Sequence, residues 1–357
     1  MPNFYCTREQ VKRAAAISGS NRDEEVDSLI EAASREIERL THTFFIPKTQ
    51  TRTFRWPPRQ SSESYVLWLD QWLLSVTTLQ TKAQDTSPTT ISSSDYFTEP
   101  NNPSVDGVQH FDRIEIDQSS TAAFEAGDTS QRSISVAGSW GYSNDTKSTG
   151  TVASGLDSDA TATTFVCSDS SLIDVGDTLL IDSEQIFVSG RSNAALGSTL
   201  VNDASITSDM ADNSITVDGS HGLVAGEVIL LDSEKLLITA VATNVLSVTR
   251  AYDSSILAAH ANDTAVHTYR TLTIERGING TTAATHADAT AISKYAPPKD
   301  IERLTRAIVI STGKQESSGW GNTIGGDAGA QSVSASALER MKKHTVDQFY
   351  RIREGAI

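Results

Sequence analysis

The sequence predicts an α+β protein: a helical core with a small β-sheet, interrupted by an inserted all-β region of two nested, duplicated modules. Helical periodicity is confined to the two ends of the chain, and the middle contains an internal repeat. Residues 143–295 contain 19 acidic and 7 basic residues, against 26 and 22 in the remainder. This contrast divides the 357 residues into a core at 1–142, an insert at 143–295 and a core completion at 296–357.

The N-terminal part predicts two helices followed by a β unit. Thr7 and Gln10 have the spacing of a capping box, in which each side chain satisfies an N–H at a helix start. A longer helix from about Asp23 has an apolar face, with Glu31 and Arg35 as an outer i,i+4 pair; the face consists of Val26, Ile30, Ala33, Ile37 and Leu40. The β unit is predicted as a strand, turn and strand over 65–82 and further strands at 111–116 and 132–142.

Helical pattern returns after "YAPP". Ile301, Leu304 and Ile308 form one apolar face, and the Gly/Ser-rich residues 316–336 are typical of a flexible linker. Ser336 and Glu339 form a second capping box, which opens an amphipathic terminal helix. Its apolar stripe either belongs to a solvated surface helix or docks into a partner's groove, and its position beyond a linker favours docking.

The middle of the chain contains a duplication whose two halves have different offsets. "GDTLLIDSEQIFV" matches "GEVILLDSEKLLI" fifty residues later, whereas residues 246–269 match residues 272–295 at an offset of twenty-six. The order is therefore front, front, back, back, as expected when one module is inserted inside another. The inner copy is predicted at about 214–269, and the outer copy is split into about 164–192 and 270–295.

Several residues of the repeat resemble catalytic or metal-binding groups. His260 and His286 lack further ligands at metal-binding spacing, so packing or hydrogen bonding within each module is the favoured interpretation. The acids of "LIDSE" and "LLDSE" each follow a strand and precede a turn residue, which favours hairpin turns, with a weak calcium site as the alternative; they are Asp182, Glu184, Asp232 and Glu234.

The stretch "RGINGTTAATHADATAI", residues 276–292, is the most motif-like segment. It lacks the following helix and the Lys-Ser/Thr of a phosphate loop. Asn279 and Gly280 instead predict a tight hairpin, since both residues tolerate positive φ. The sequence thus predicts no catalytic residue, no metal site and no cofactor.

Composition also excludes some functions. A formal charge of −16 opposes general nucleic-acid binding, which needs a basic face. No signal peptide and no apolar stretch long enough to span a bilayer is recognisable. The two cysteines, Cys6 and Cys167, provide neither a CxxC pair nor a disulfide framework.

Outside the insert, the order of segments resembles the phage head–tail connector family, the adaptors that lie beneath the portal of long-tailed phages. The resemblance covers about 7–142 and 297–357, and it is carried by "TREQVKRAAAI", "DEEVDSLIEAASREIERLTHTFF", "LWLDQWLLSVTTLQT", "ISVAGSWGY", "PPKDIERLTRAIVIST" and "QFYRIRE". The repeated module looks like small β modules of phage structural proteins. The insert departs from the compact connector pattern, so the resemblance does not cover its role.

The resemblance implies a non-enzymatic virion protein at the head–tail junction, made in the host cytoplasm. It implies a dodecameric ring bound to the portal protein and to a downstream neck or tail-terminator protein, through which double-stranded DNA passes without specific binding. The family's C-terminal segment engages the portal, which maps here onto Leu338, Met341, Lys342, Phe349, Tyr350, Ile352 and Arg353.

The alternative function is a capsid decoration or tail-fibre binding module that uses the β insert, and a polysaccharide hydrolase is disfavoured by the lack of an acid pair across a cleft. The insert is also expected to be dispensable, so that deleting 143–295 leaves ring assembly and portal binding intact.

Overall fold

Strands dominate the fold. The computed structural model describes residues 3–57, 63–104, 106–201, 206–219, 221–317 and 335–351. Strands account for 37% of the structure and helices for 21%, so the predicted α+β fold of a helical connector core with a small sheet is wrong. The periodicity of a helix can be recognised within one segment of sequence. Short Ser- and Thr-rich strands are instead stabilised by partner strands distant in sequence, so the sequence underestimates them.

The described residues form four helices, two from each end of the chain: α1 (Arg8–Ala15), α2 (Asp23–Thr41), α3 (Lys299–Ser317) and α4 (Ala335–Phe349). The first capping box is confirmed, because the Thr7 hydroxyl accepts from the Gln10 N–H and the Gln10 side chain accepts from the Thr7 N–H. The predicted apolar faces of α2 and α3 are buried together, except for Leu40, which is only partly buried. The predicted pair of Glu31 with Arg35 is replaced, since Arg35 contacts Glu38 at 2.6 Å.

The first sheet has the order β1-β6-β2-β5-β4, with β3 also paired to β2. Its strands are β1 (Lys48–Phe54), β2 (Val66–Thr81), β3 (Thr89–Ile91), β4 (Tyr96–Glu99), β5 (Phe111–Ile116) and β6 (Ile134–Trp140). The strand–turn–strand predicted over 65–82 is one continuous strand, β2. The polar residues at its centre are bonded to other parts of the chain: Asp70 pairs with Arg52 on β1, and the Gln71 side chain donates to the carbonyl of His42 at the end of α2.

The insert forms a second sheet of ten strands. They are β7 (Thr146–Ser154), β8 (Thr164–Cys167), β9 (Thr178–Ile181), β10 (Glu184–Thr199), β11 (Ser214–Thr216), β12 (Val228–Leu231), β13 (Glu234–Ala242), β14 (Val245–Thr249), β15 (Ala265–Glu275) and β16 (Ala291–Tyr295). The two longest of them, β10 and β15, pair with each other across several register shifts.

The pairings close two rings of six strands each. The outer barrel contains β7, β8, β9, residues 184–192 of β10, residues 271–275 of β15, and β16. The inner barrel contains residues 194–199 of β10, β11, β12, β13, β14 and residues 265–268 of β15, and a bridge between Leu200 and Val217 closes it. Each barrel has its own apolar core. The inner barrel therefore lies between the fourth and fifth strands of the outer one.

The outer barrel is packed into the helical part of the molecule. Phe187 and Ile278 of the outer barrel belong to the same apolar cluster as the four helices. The ring of Phe4 packs edge-on against Phe187 at 5.0 Å, and the chain re-enters the core where Ala296 N–H donates to the Asp145 carbonyl. The insert and the core thus share buried surface.

Candidate functional site

The acids of the repeat lie at two equivalent hairpins. Ile181 pairs with Glu184 and Leu231 pairs with Glu234, so a two-residue turn connects the strands in each copy. The first turn residue is an aspartate with positive φ in both, 52° at Asp182 and 53° at Asp232. The predicted hairpin turns are confirmed, but the turns do not explain the glutamates, whose side chains point into the barrels.

Glu234 is fully buried and bound on both carboxylate oxygens. Arg250 donates to them from Nε and Nη2, each at 2.8 Å, and its own side chain is 0% exposed. The backbone N–H groups of Ala251 and Ala258 donate at 2.9 and 3.1 Å. His260 Nε2 lies 2.8 Å from the same carboxylate.

Glu184 repeats this arrangement in the outer barrel. Arg276 donates from Nε and Nη2 at 2.7 Å each, and the N–H groups of Gly277 and Ala284 donate at 3.0 Å each. His286 Nε2 lies 2.8 Å from the carboxylate. The same atoms thus make the same contacts at similar distances in both barrels. This equivalence explains why the Glu, Arg and His positions coincide between the two copies.

The electrostatics of both clusters favour a permanently charged carboxylate. Burial raises the pKa of Glu184 and of Glu234, but hydrogen bonds from the arginine, the histidine and two backbone N–H groups outweigh it and lower each pKa to about 2. The remaining ring nitrogen of each histidine faces the turn aspartate, at 2.9 Å for His260 to Asp232 and 2.7 Å for His286 to Asp182. In each cluster, hydrogen bonds therefore link the glutamate, the arginine, the histidine and the turn aspartate.

The geometry leaves the glutamates no role in acid–base chemistry or cation binding. Proton transfer requires a carboxyl group that faces a substrate, whereas both oxygens of each glutamate accept from protein donors inside a barrel core. Among the described residues, no group of three or more His, Cys, Asp or Glu side chains is arranged to hold a metal ion. The alternative of a weak calcium site therefore has no ligand set there.

The "RGINGTT" segment is a docking loop. Asn279 and Gly280 do take positive φ, 54° and 82°, but they lie in a short 3-10 turn, and the next strand begins only at Ala291. The predicted tight hairpin is therefore wrong. Asn279 exchanges side-chain hydrogen bonds with Asn3 at 2.8 and 3.0 Å, and a Cβ at Gly280 would lie 2.0 Å from the Thr49 carbonyl oxygen.

The sister loop of the inner barrel docks on a neighbouring part of the chain. Asp253 accepts from the N–H of Gly19 at 2.9 Å, and the Ser254 and Ser18 hydroxyls lie 2.6 Å apart. Residues 253 and 254 correspond to Asn279 and Gly280 in the repeat. The copies differ at these two positions, and there each copy contacts a different part of the N-terminal segment.

A third ion pair joins the two barrels. Arg270, between the two halves of β15, donates to both oxygens of the buried Glu227 at 2.7 Å each. The same carboxylate accepts from the backbone and hydroxyl of Ser170 in the outer barrel. Sequence reasoning missed this pair. The signal available was a lone arginine directly after the inner copy, at the junction of the two modules.

The predicted portal-contact residues are largely used inside the chain. Phe349 is 3% exposed in the helical core, and Leu338 and Met341 pack at its edge. Lys342 forms an ion pair with Glu36 at 2.9 Å. Tyr350 is exposed and packs beside the ring of His42, whereas Ile352, Arg353 and most of the predicted linker lie outside the described residues.

Both cysteines are buried thiols. Burial raises the pKa of Cys6 and of Cys167 to about 12, so neither is a thiolate at neutral pH. A cavity of about 140 Å³ lies beside Cys6, where the outer barrel meets α3.

Comparison of the chain with protein-family models, curated proteins and solved structures finds no match. Among the described helices, none has the length and apolar character needed to cross a membrane.

Proposed function

We propose that the protein is a structural virion component, a head–tail connector that forms a ring between the portal and the neck or tail and lets DNA pass. The observation that carries the proposal is the convergence of the two chain ends. α1 and α2 pack with α3 and α4 in one apolar cluster beside the first sheet. The segments whose order resembles the connector family therefore form a single body, although 153 residues of insert separate them in sequence.

The charge distribution supports a conduit rather than a DNA-binding protein. The chain has a formal charge of −16, and the insert is its most acidic part. Lys and Arg contacts to phosphates release counterions and retain DNA, so an acidic ring holds passing DNA weakly. The arginines of the repeat are paired with buried carboxylates. The side chains of Arg250 and Arg276 are only 0% and 7% exposed, so they are not available to phosphates.

The proposal is tested by measuring the mass of the purified protein alone and with a portal protein, by native mass spectrometry and electron microscopy. We expect a ring that binds the portal, with twelve copies per ring. A protein that remains monomeric both alone and with portal, or one that turns over a polysaccharide, would refute the proposal. Binding to capsid or cell surface through the isolated insert would support the decoration or fibre alternative instead.

A further inference from the structure

The solvent face of the first sheet carries two exposed aromatic side chains, one of them on the strand at the sheet's open edge. β4 is the last strand of that sheet, and in the described part of the chain it pairs only with β5. Phe97 on β4 is 54% exposed and Trp68 on β2 is 44% exposed. Large exposed aromatic residues beside a strand edge with free backbone groups are typical of protein interfaces.

The register places both rings on one face. Phe97 lies opposite Glu115 on β5, and in the adjacent row Glu99 and Trp68 lie on either side of Arg113. Side chains on the same face of a strand recur every second residue, so these rows are neighbours. The Arg113 guanidinium lies 5.2 Å from the Trp68 ring and contacts Glu115 at 2.6 Å. We call this surface, consisting of Trp68, Phe97, Glu99, Arg113 and Glu115, the β4 patch.

A groove of complementary charge lies between α1 and α3. It has a volume of about 550 Å³ and is shallow, and it is lined by Gln10, Arg13, Ala14, Glu302 and Arg306. Arg13 is 63% exposed, with one long contact of 3.8 Å to Asp174. Two arginines against one glutamate make the groove basic, whereas the β4 patch has two glutamates against one arginine.

We infer that copies of the chain associate head to tail, with the β4 patch of one copy against the α1–α3 groove of the next. The inference rests on the proposed ring and names its subunit contact. Charge complementarity selects a second copy as the occupant, since patch and groove belong to the same chain and differ in sign. An interface between two different surfaces propagates around a ring, which a self-complementary contact does not do beyond a dimer.

Two variants disable the two sides separately. Phe97→Lys places a cation in the patch where it would face Arg13, and Arg13→Glu places a carboxylate in the groove where it would face Glu99 and Glu115. Both positions are exposed, so the fold is expected to persist, as checked by circular dichroism and the urea midpoint. Ile256→Lys is the matched control, because Ile256 is an apolar residue 81% exposed on the inner barrel.

The expected result is an assembly larger than a dimer for the unaltered chain and for Ile256→Lys, measured by sedimentation velocity and native mass spectrometry. Phe97→Lys and Arg13→Glu should each weaken self-association at least about thirtyfold, as the loss of an interface hot spot does. An equal mixture of the two variants retains one intact patch and one intact groove, and should therefore form heterodimers.

Three results would overturn the inference. One is an unchanged assembly in Phe97→Lys, and another is a mixture that forms no heterodimer. The third is a portal-bound ring whose copy number and affinity are unaffected by either variant; that result would leave the proposed connector function standing. A chain that forms no ring either alone or on the portal would refute the function as well.

Discussion

Replacing Arg250 by methionine should destabilise the protein far more than removing a surface arginine. Arg250 and Glu234 both have 0% side-chain exposure and share two hydrogen bonds of 2.8 Å. The substitution preserves apolar bulk but leaves a carboxylate in the barrel core without its cation. Breaking a buried pair in this way costs about 3–5 kcal/mol in the free energy of unfolding.

Arg276→Met is the equivalent change in the outer barrel, and it should cost a similar amount because the contacts to Glu184 match. Arg52→Met is the control, since Arg52 pairs with Asp70, whose side chain is 39% exposed. A partly exposed pair contributes about 0–1 kcal/mol. The three variants therefore separate burial of the ion pair from loss of an arginine as such.

The assay is equilibrium unfolding in urea, followed by far-ultraviolet circular dichroism and by tryptophan fluorescence. No tryptophan lies in the insert, and the four described ones belong to the core, so fluorescence reports the core while circular dichroism reports the whole chain. Because the core and the outer barrel share an apolar cluster, the Arg276→Met loss should appear with both probes. A cost below about 1 kcal/mol for Arg250→Met would refute the assignment of the buried clusters as structural ion pairs.

Three further outcomes are expected. The two buried glutamates have an unfolded-state pKa of 4.5 and a folded-state pKa of about 2, so their contribution to stability should be complete above pH 4.5 and be lost as the pH falls toward 2. In a pH series of urea midpoints, Glu184→Gln should reduce this loss of stability at acid pH. Gly280→Ala should cost about 3 kcal/mol or more by thermal or urea unfolding, because the new Cβ meets the Thr49 carbonyl; Gly197→Ala, also at positive φ but with open space around it, should cost only the backbone strain of about 1–2 kcal/mol. Deletion of 143–295 should abolish cooperative unfolding by circular dichroism, against the expectation from sequence, since it removes Phe187 and Ile278 from the shared core; a deleted chain that unfolds cooperatively would contradict this.

Local signals in the sequence predicted local structure correctly. The Thr7 capping box, the buried faces of α2 and α3, and the hairpins at Asp182 and Asp232 each depend on residues within a few positions of one another. The prediction of two strands in place of β2 is wrong because Asp70 and Gln71, at its centre, form their hydrogen bonds with residues elsewhere in the chain.

The candidate site was predicted only in part, for the same reason. Aligning the copies shows that Arg250 corresponds to Arg276 and His260 to His286. The glutamate that binds both the arginine and the histidine of a copy lies in the other half of the module. In the outer barrel, Glu184 and Arg276 are 92 residues apart because the inner barrel intervenes. A repeat alignment shows which residues correspond, whereas their contact follows from barrel closure, which no single segment encodes.

The turn between β13 and β14 has a consequence for how such a chain can lengthen. This turn connects the fourth and fifth strands of the inner barrel and contains only Thr243 and Asn244. In the outer barrel, the inner barrel is inserted at the corresponding place, between the fourth and fifth strands. The inner barrel begins and ends on paired strands, with Ala194 opposite Thr268, so its entry and exit lie side by side. A further copy spliced in at Thr243 would leave every existing strand pairing in place. The architecture is therefore recursive, and size can increase from the innermost turn outward while both termini stay fixed in the helical core.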